Sequence, residues 1–240
     1  MVDAADDIRR GIGEATERIA RAAAAAGRSP GEISLMGVTK FQPLEAIYAA
    51  LKCGLSLFGE NRVQEMDEKS SKWNGPEAAW HMIGHLQRNK ARRAVELFGC
   101  IQSVDNIELA GALERIMAEK QGDSPGHAVY PIMVEVNVSG EESKQGTAPE
   151  KSFALIEHIA VKCPHIEIKG LMTIGPITSD RKAIRASFAS LRHLRDELRG
   201  KFGLKLPHLS MGMSGDYETA IEEGSTIVRI GTAIFGARGR

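Results

Sequence analysis

Residues 131–138 read PIMVEVNV, and residues 168–175 read IKGLMTIG. Both carry branched apolar side chains without a helical period, which marks strands buried on two faces. Between them, residues 151–162 (KSFALIEHIAVK) form an amphipathic helical stretch. Strand, helix and strand in that order make a βα repeat rather than a hairpin.

The same alternation extends in both directions. Eight strands are expected, at 33–40, 57–61, 79–84, 100–104, 130–138, 167–175, 208–213 and 227–230, with helical segments such as 44–52, 106–120, 151–162 and 180–199 between them. In the last of these, Ile184, Phe188, Leu191, Leu194 and Leu198 follow the three-four spacing of one buried stripe. A chain of 240 residues can hold one α/β core of this kind, as a closed (β/α)8 barrel of the TIM type or as a doubly wound open sheet. Two small domains would also fit the length.

The two ends favour the barrel. Ile8, Ile12, Ala15, Ile19, Ala22 and Ala26 form an apolar stripe, so an extra N-terminal helix is expected over residues 3–26, ending near Gly27. Beyond residue 230 only about ten residues remain, fewer than a covering helix and its connection require. The N-terminal helix is therefore expected to lie where the eighth helix of a barrel would be. The expectation is a single barrel domain spanning 1–240.

The 31 basic residues balance the 31 acidic ones. No global positive field draws the protein to nucleic acid or to an anionic membrane. Cys53, Cys100 and Cys163 are scattered and odd in number, which fits neither a disulfide framework nor a zinc knuckle. The acidic start lacks a secretory signal and no apolar run approaches membrane-spanning length, so a cytoplasmic location is expected. His81 and His85 are four apart but straddle a strand end, out of the helical context of a zinc pair.

In barrels the site lies at the C-terminal ends of the strands, and phosphate groups are commonly held after strands seven and eight. Here strand seven runs into SMGMSGDYE (210–218), with Gly212, Ser214 and Gly215, and strand eight into IVRIGTAIFG (227–236), with Gly231 and Thr232. Glycine backbone and hydroxyl donors at such turns suit an anion. Within strand eight, Arg229 shares a pleat face with Gly231 and points inward, where it needs a partner. A ligand and the carboxylate of Glu135 are both candidates.

Strand one, in SLMGVTKF (34–41), ends on Lys40 and would close beside strand eight. A lysine surfacing from a buried strand is one reading. A second is chemical, because an amine near a phosphate cup can form a Schiff base with an aldehyde or ketone once burial or a cation such as Arg229 favours its neutral form. Lys169 lies at the opposite end of its strand. Lys144 and Lys90 are at the correct end but on loop and helical segments.

These residues match a known family. The segments VTKFQP, FGENRVQE, WHMIGHLQRNK, VNVSGEESKQG, KGLMTIG, LSMGMSGDYETAI and GSTIVRIGTAIFGAR, in order over residues 33–238, resemble the pyridoxal phosphate homeostasis proteins (YggS/PROSC type). The resemblance implies a barrel like the N-terminal domain of alanine racemases, with pyridoxal 5′-phosphate (PLP) carried on Lys40 as a Schiff base. It implies that Ser214 or Ser210, with Gly231 and Thr232, hold the phosphate, that Arg229 lies near the ring nitrogen or the phosphate, and that Asn61 lies near the ring. Thr39 stands where the family commonly has Ser, and Phe41 where a small polar residue is frequent.

The implied role is storage, buffering or delivery of PLP to apo-enzymes. The alternative is an amino-acid racemase, which needs a second acid or base across the cofactor. In alanine racemases the resemblance implies that a tyrosine of a second domain serves. Of Tyr48, Tyr130 and Tyr217, only Tyr217 is placed to approach, so a holder without efficient turnover is expected. A third reading, an interaction module, would use the basic face RNKARR (88–93).

Overall fold

The computed structural model describes residues 4–121, 129–141 and 144–236. Residue 3 at the start of the expected first helix, residues 142–143 of the loop after strand five, and residues 237–238 of the last motif lie outside the described residues.

Eight parallel strands close on themselves: β1 (Ser34–Val38), β2 (Leu57–Glu60), β3 (Ala79–Met82), β4 (Cys100–Val104), β5 (Tyr130–Glu135), β6 (Ile166–Met172), β7 (His208–Ser210) and β8 (Ile227–Ile230). β1 pairs with both β2 and β8, which an open sheet forbids for its first and last strands. Around the barrel run α1 (Ala4–Ala25), α2 (Leu44–Lys52), α3 (Val63–Ser71), α4 (Ala91–Leu97), α5 (Ile107–Gln121), α6 (Pro149–Lys162), α7 (Arg181–Phe202), α8 (Tyr217–Glu222) and α9 (Thr232–Phe235). The start of α7 is set by Asp180, whose side chain accepts the Lys182 N–H at 2.9 Å.

After β8 the described residues supply only the four-residue α9. The buried stripe Ile8, Ile12, Ala15, Ile19 and Ala22 brings α1 against α2, α8 and α9. The N-terminal helix thus fills the place of the eighth barrel helix. The main apolar core lies between strands and helices. A second cluster, Met36, Ile83, Cys100, Met133, Met172 and Ile227, fills the barrel interior.

Six strands end earlier at the mouth than the sequence suggested, at Val38, Glu60, Met82, Glu135, Met172 and Ser210. The chain stays buried past those points, and its backbone keeps one more bond to the neighbouring strand: the N–H groups of Thr39, Val136, Thr173 and Met211 donate to Gly59 O, Met172 O, Ser210 O and Ile227 O at 3.1, 2.8, 3.1 and 3.1 Å. Thr39, Val136, Thr173 and Met211 are all buried beyond their strands. Lys40 accordingly sits not in β1 but in the turn above it, where the Gln42 N–H donates to Thr39 O at 2.9 Å.

Candidate functional site

Lys40 is half-buried, and the backbone on both sides of it is fastened. The ammonium of Lys69, from α3, donates to Thr39 O at 2.7 Å, to Glu60 Oε1 at 2.5 Å and to Glu65 Oε1 at 2.8 Å. Glu65 Oε1 also accepts the Phe41 N–H at 2.5 Å, and the Thr39 hydroxyl donates to Glu60 Oε1 at 2.6 Å. Phe41 adopts the left-handed conformation at φ 62°. A bulky residue avoids that region unless its surroundings fix it, and the Glu65 contact does so. Burial pushes the Glu60 carboxyl up, against the pull of Lys69 and the Thr39 hydroxyl. Phe41 itself is 58% exposed, with the Arg62 guanidinium 5.6 Å from its ring centre.

The loops after β7 and β8 meet beside this turn. Ser214 Oγ accepts the Ala233 N–H at 3.4 Å, joining the two loops. A Cβ on Gly231 would stand 3.3 Å from both Cβ and O of Val38, so the turn into α9 lies directly on the top of β1, two residues from Lys40. Ser214 is half-buried and Thr232 exposed. On the other flank, Asn61 follows β2, and its Oδ1 is buried without a partner among the described residues. Gly84 makes room for it, since a Cβ there would fall 2.3 Å from Asn61 O.

Beneath the mouth, Arg229 is buried inside the barrel. Nη1 donates to Ser210 Oγ at 2.8 Å and Nη2 to Thr173 O at 2.7 Å. Desolvation lowers its pKa to about 10, while the charges of Glu135 and Asp216 oppose that fall. Glu135 forms no ion pair with it among the described residues, so carboxylate pairing does not account for the buried guanidinium. Burial and the nearby Asp105 push the Glu135 carboxyl up to about 7, and Arg229 only partly offsets them.

The expected residues therefore divide by depth. Lys40, Asn61, Ser214, Gly231 and Thr232 surround the mouth, and Arg229 rises toward it from within. Ser210 lies deeper than Ser214: it is fully buried, and its hydroxyl donates to Gln102 Oε1 at 2.6 Å while accepting from Arg229. Gln102 and Lys69 escaped the sequence reading. A glutamine within CIQSV and a lysine four residues after Glu65 were the available signals.

Tyr217 is turned away from the mouth. It is buried against α1, with the Arg18 guanidinium 5.0 Å from its ring centre. Tyr48 bonds to Asn74 at 2.7 Å and Tyr130 to Phe98 O at 2.6 Å. Lys144 is held by Glu141 at 2.6 Å and by Gly175 O at 2.8 Å, and Lys169 pairs with Glu167. On the RNKARR face, Arg92 pairs with Glu119, and Arg93 with Asp67 and Glu96, as in an ordinary solvated helix surface. No described helix is long and apolar enough to cross a membrane.

The family described as alanine racemase, N-terminal domain, matches residues 15–239. A pyridoxal phosphate homeostasis protein from Aquifex aeolicus is 42% identical over 222 residues, covering 92% of this chain and 94% of that protein. PipY from Synechococcus elongatus, solved with PLP bound, aligns with a TM-score of 0.80 at 35% identity over 92% of this chain and 99% of PipY. Alanine racemase from Corynebacterium glutamicum aligns with 98% of this chain and 62% of its own at a TM-score of 0.69 and 17% identity, which shows the shared fold. With its closed barrel and with identity running over nearly the whole length of both proteins, the chain belongs to the pyridoxal phosphate homeostasis protein family.

Proposed function

We propose that this protein binds PLP as a Schiff base on Lys40 and holds it for storage, buffering or delivery to apo-enzymes in the cytoplasm. The observation that carries the reading is the convergence of a fastened lysine turn with the joined β7 and β8 loops, over a buried arginine. The residues fit the cofactor on their own chemistry. Asn61 Oδ1 is a buried acceptor without a partner among the described residues, and the buried Arg229 guanidinium, bonded to Ser210 and Thr173, has no ion pair among them.

When bound, the cofactor supplies an aldehyde carbon and an electron-withdrawing ring. Lys40 holds the aldehyde end. Ser214, Thr232 and the backbone at Gly231 hold the phosphate, with Ser210 acting below them through Arg229 rather than on the phosphate itself. Arg229 would lie toward the ring nitrogen or the phosphate, and Asn61 near the ring. The relative from Aquifex aeolicus carries the homeostasis name, and PipY was solved with PLP, which supports the cofactor assignment.

Racemisation would need an acid or base across the ring from Lys40. Tyr217, the tyrosine best placed by sequence, is committed to α1 instead, which favours holding over turnover. The test is to add PLP to the purified protein, follow the near-visible absorbance of lysine-bound pyridoxal, reduce with borohydride and map the label by mass spectrometry. Label on Lys40, lost in Lys40→Ala, is expected. Label elsewhere, or none, overturns the proposal, and sustained enantiomer exchange with L-alanine overturns the holding role.

A further inference from the structure

We propose that Gln102 is a positioning residue which, through the Ser210 hydroxyl, fixes the direction in which Arg229 presents its guanidinium to the cofactor ring. The inference rests on the PLP-binding reading above and concerns the chain of side chains that crosses the barrel beneath the mouth.

Hydrogen-bonding capacity gives that chain one sense. A guanidinium only donates, so Ser210 Oγ must accept from Arg229 Nη1 at 2.8 Å. The serine has a single O–H, which goes to Gln102 Oε1 at 2.6 Å. With its oxygen turned to Ser210, the Gln102 amide presents its NH2 to His81 Nδ1 at 2.8 Å. That nitrogen must therefore carry a lone pair, which places the imidazole proton on Nε2. Burial, helped by the nearby His208, lowers the His81 pKa to about 4, so the ring is neutral at physiological pH.

The opposite amide orientation satisfies fewer groups. It would aim an N–H at the second lone pair of Ser210 Oγ, would strip the serine O–H of its Gln102 acceptor, and would need the imidazole proton on His81 Nδ1. Gln102 and Ser210 are both fully buried, so water does not replace a lost partner there. Ser210 and Thr173 O hold adjacent guanidinium nitrogens, and together they fix the plane of Arg229. Releasing Ser210 leaves that plane with one anchor.

The experiment compares wild type, Gln102→Leu and Gln102→Glu. Gln102→Leu removes the acceptor, and a fivefold to tenfold loss of PLP affinity is expected, on the order of one buried hydrogen bond. The absorbance band of the bound cofactor should also shift in position or in pH dependence. Gln102→Glu keeps an oxygen for Ser210 and should recover most of both. Without cofactor, nitrogen NMR of His81 should find a neutral ring protonated at Nε2, with that preference weakened in Gln102→Leu.

A folded Gln102→Leu protein with wild-type affinity and spectrum overturns the inference. So does a failure of Gln102→Glu to recover either property, or a neutral His81 protonated at Nδ1 in wild type. Should Gln102→Leu not fold, Ser210→Ala takes its place with the same expected losses, and wild-type behaviour there overturns the inference. If wild type takes up no PLP, the proposed function falls first and this inference with it; if wild type binds and the variants match it, only this inference falls.

Discussion

Replacing Glu135 with glutamine tests the electrostatics of the barrel interior. Glu135 ends β5 with 3% of its surface exposed, and burial together with Asp105 raises its carboxyl pKa from 4.5 to about 7. A carboxyl whose folded pKa lies above its unfolded value holds its proton longer in the folded state. Its contribution to stability is full below pH 4.5 and is lost as the pH rises through about 7. At 1.36 kcal/mol per pH unit the whole span is worth about 3 kcal/mol as a ceiling. Glutamine copies the protonated form in shape and charge and does not titrate.

The two proteins should therefore have nearly equal stability at low pH. Above pH 8 the variant should be the more stable, by up to about 3 kcal/mol. Urea denaturation from acid to alkaline pH measures the difference, in which the titrations common to both proteins cancel. A variant that instead loses stability at high pH would show that Glu135 is ionised there and pairs productively with Arg229. A difference that does not change with pH would show that Glu135 does not titrate in this range. Either result refutes the reasoning.

Two further substitutions probe the mouth. Lys69→Met leaves the fully buried Glu60 and the neighbouring Glu65 without their cation, and a loss of about 3–5 kcal/mol is expected in urea denaturation; a loss below about 1 kcal/mol, the level of an exposed pair, would contradict the clamp described for the Lys40 turn. Gly84→Ala puts a Cβ 2.3 Å from Asn61 O. It should cost about 1–3 kcal/mol by calorimetry and weaken PLP binding by displacing Asn61, and unchanged values for both would remove Asn61 from the site.

The barrel was legible because its strands are buried on both faces and its helices on one, so the apolar period changes at each element. The strand ends were not, for a physical reason. Apolarity reports burial, and at Thr39, Val136, Thr173 and Met211 burial continues past the paired strand ends, where each residue keeps one last N–H bond to the neighbouring strand. The inward direction of Arg229 followed from the pleat, because Val228 and Ile230 claim the other face. The setting of Ser210 was not legible, because a serine at the end of a strand reads as a loop hydroxyl, whereas it shares the barrel interior with Arg229 and Gln102. Lys69 was hidden because its i,i+4 relation to Glu65 describes an ordinary helix-surface pair. Only the closure of β1 on β2 brings Glu60 and Thr39 O to the same ammonium.

The interior of this barrel opposes its own stability, and that bears on what holding a cofactor means here. Among the described residues Arg229 is desolvated with no ion pair, Glu135 is buried with a raised pKa, and Asn61 Oδ1, at the mouth above them, has no partner. Hydrophobic packing at these positions would be the more stable choice in an empty barrel. A ligand that accepts from Arg229 and donates to Asn61 Oδ1 relieves those costs, and its binding free energy then includes the removal of a burial cost already present in the protein. The same relief appears as folding stability, about 2.7 kcal/mol when free ligand stands a hundredfold above its dissociation constant. The Lys69 clamp acts in the same direction, because a lysine turn already fastened loses little backbone freedom on binding. Affinity built from relieved burial and a pre-set turn needs no enclosing lid, and an exposed Phe41 and Thr232 at an open mouth are compatible with handing the ligand on.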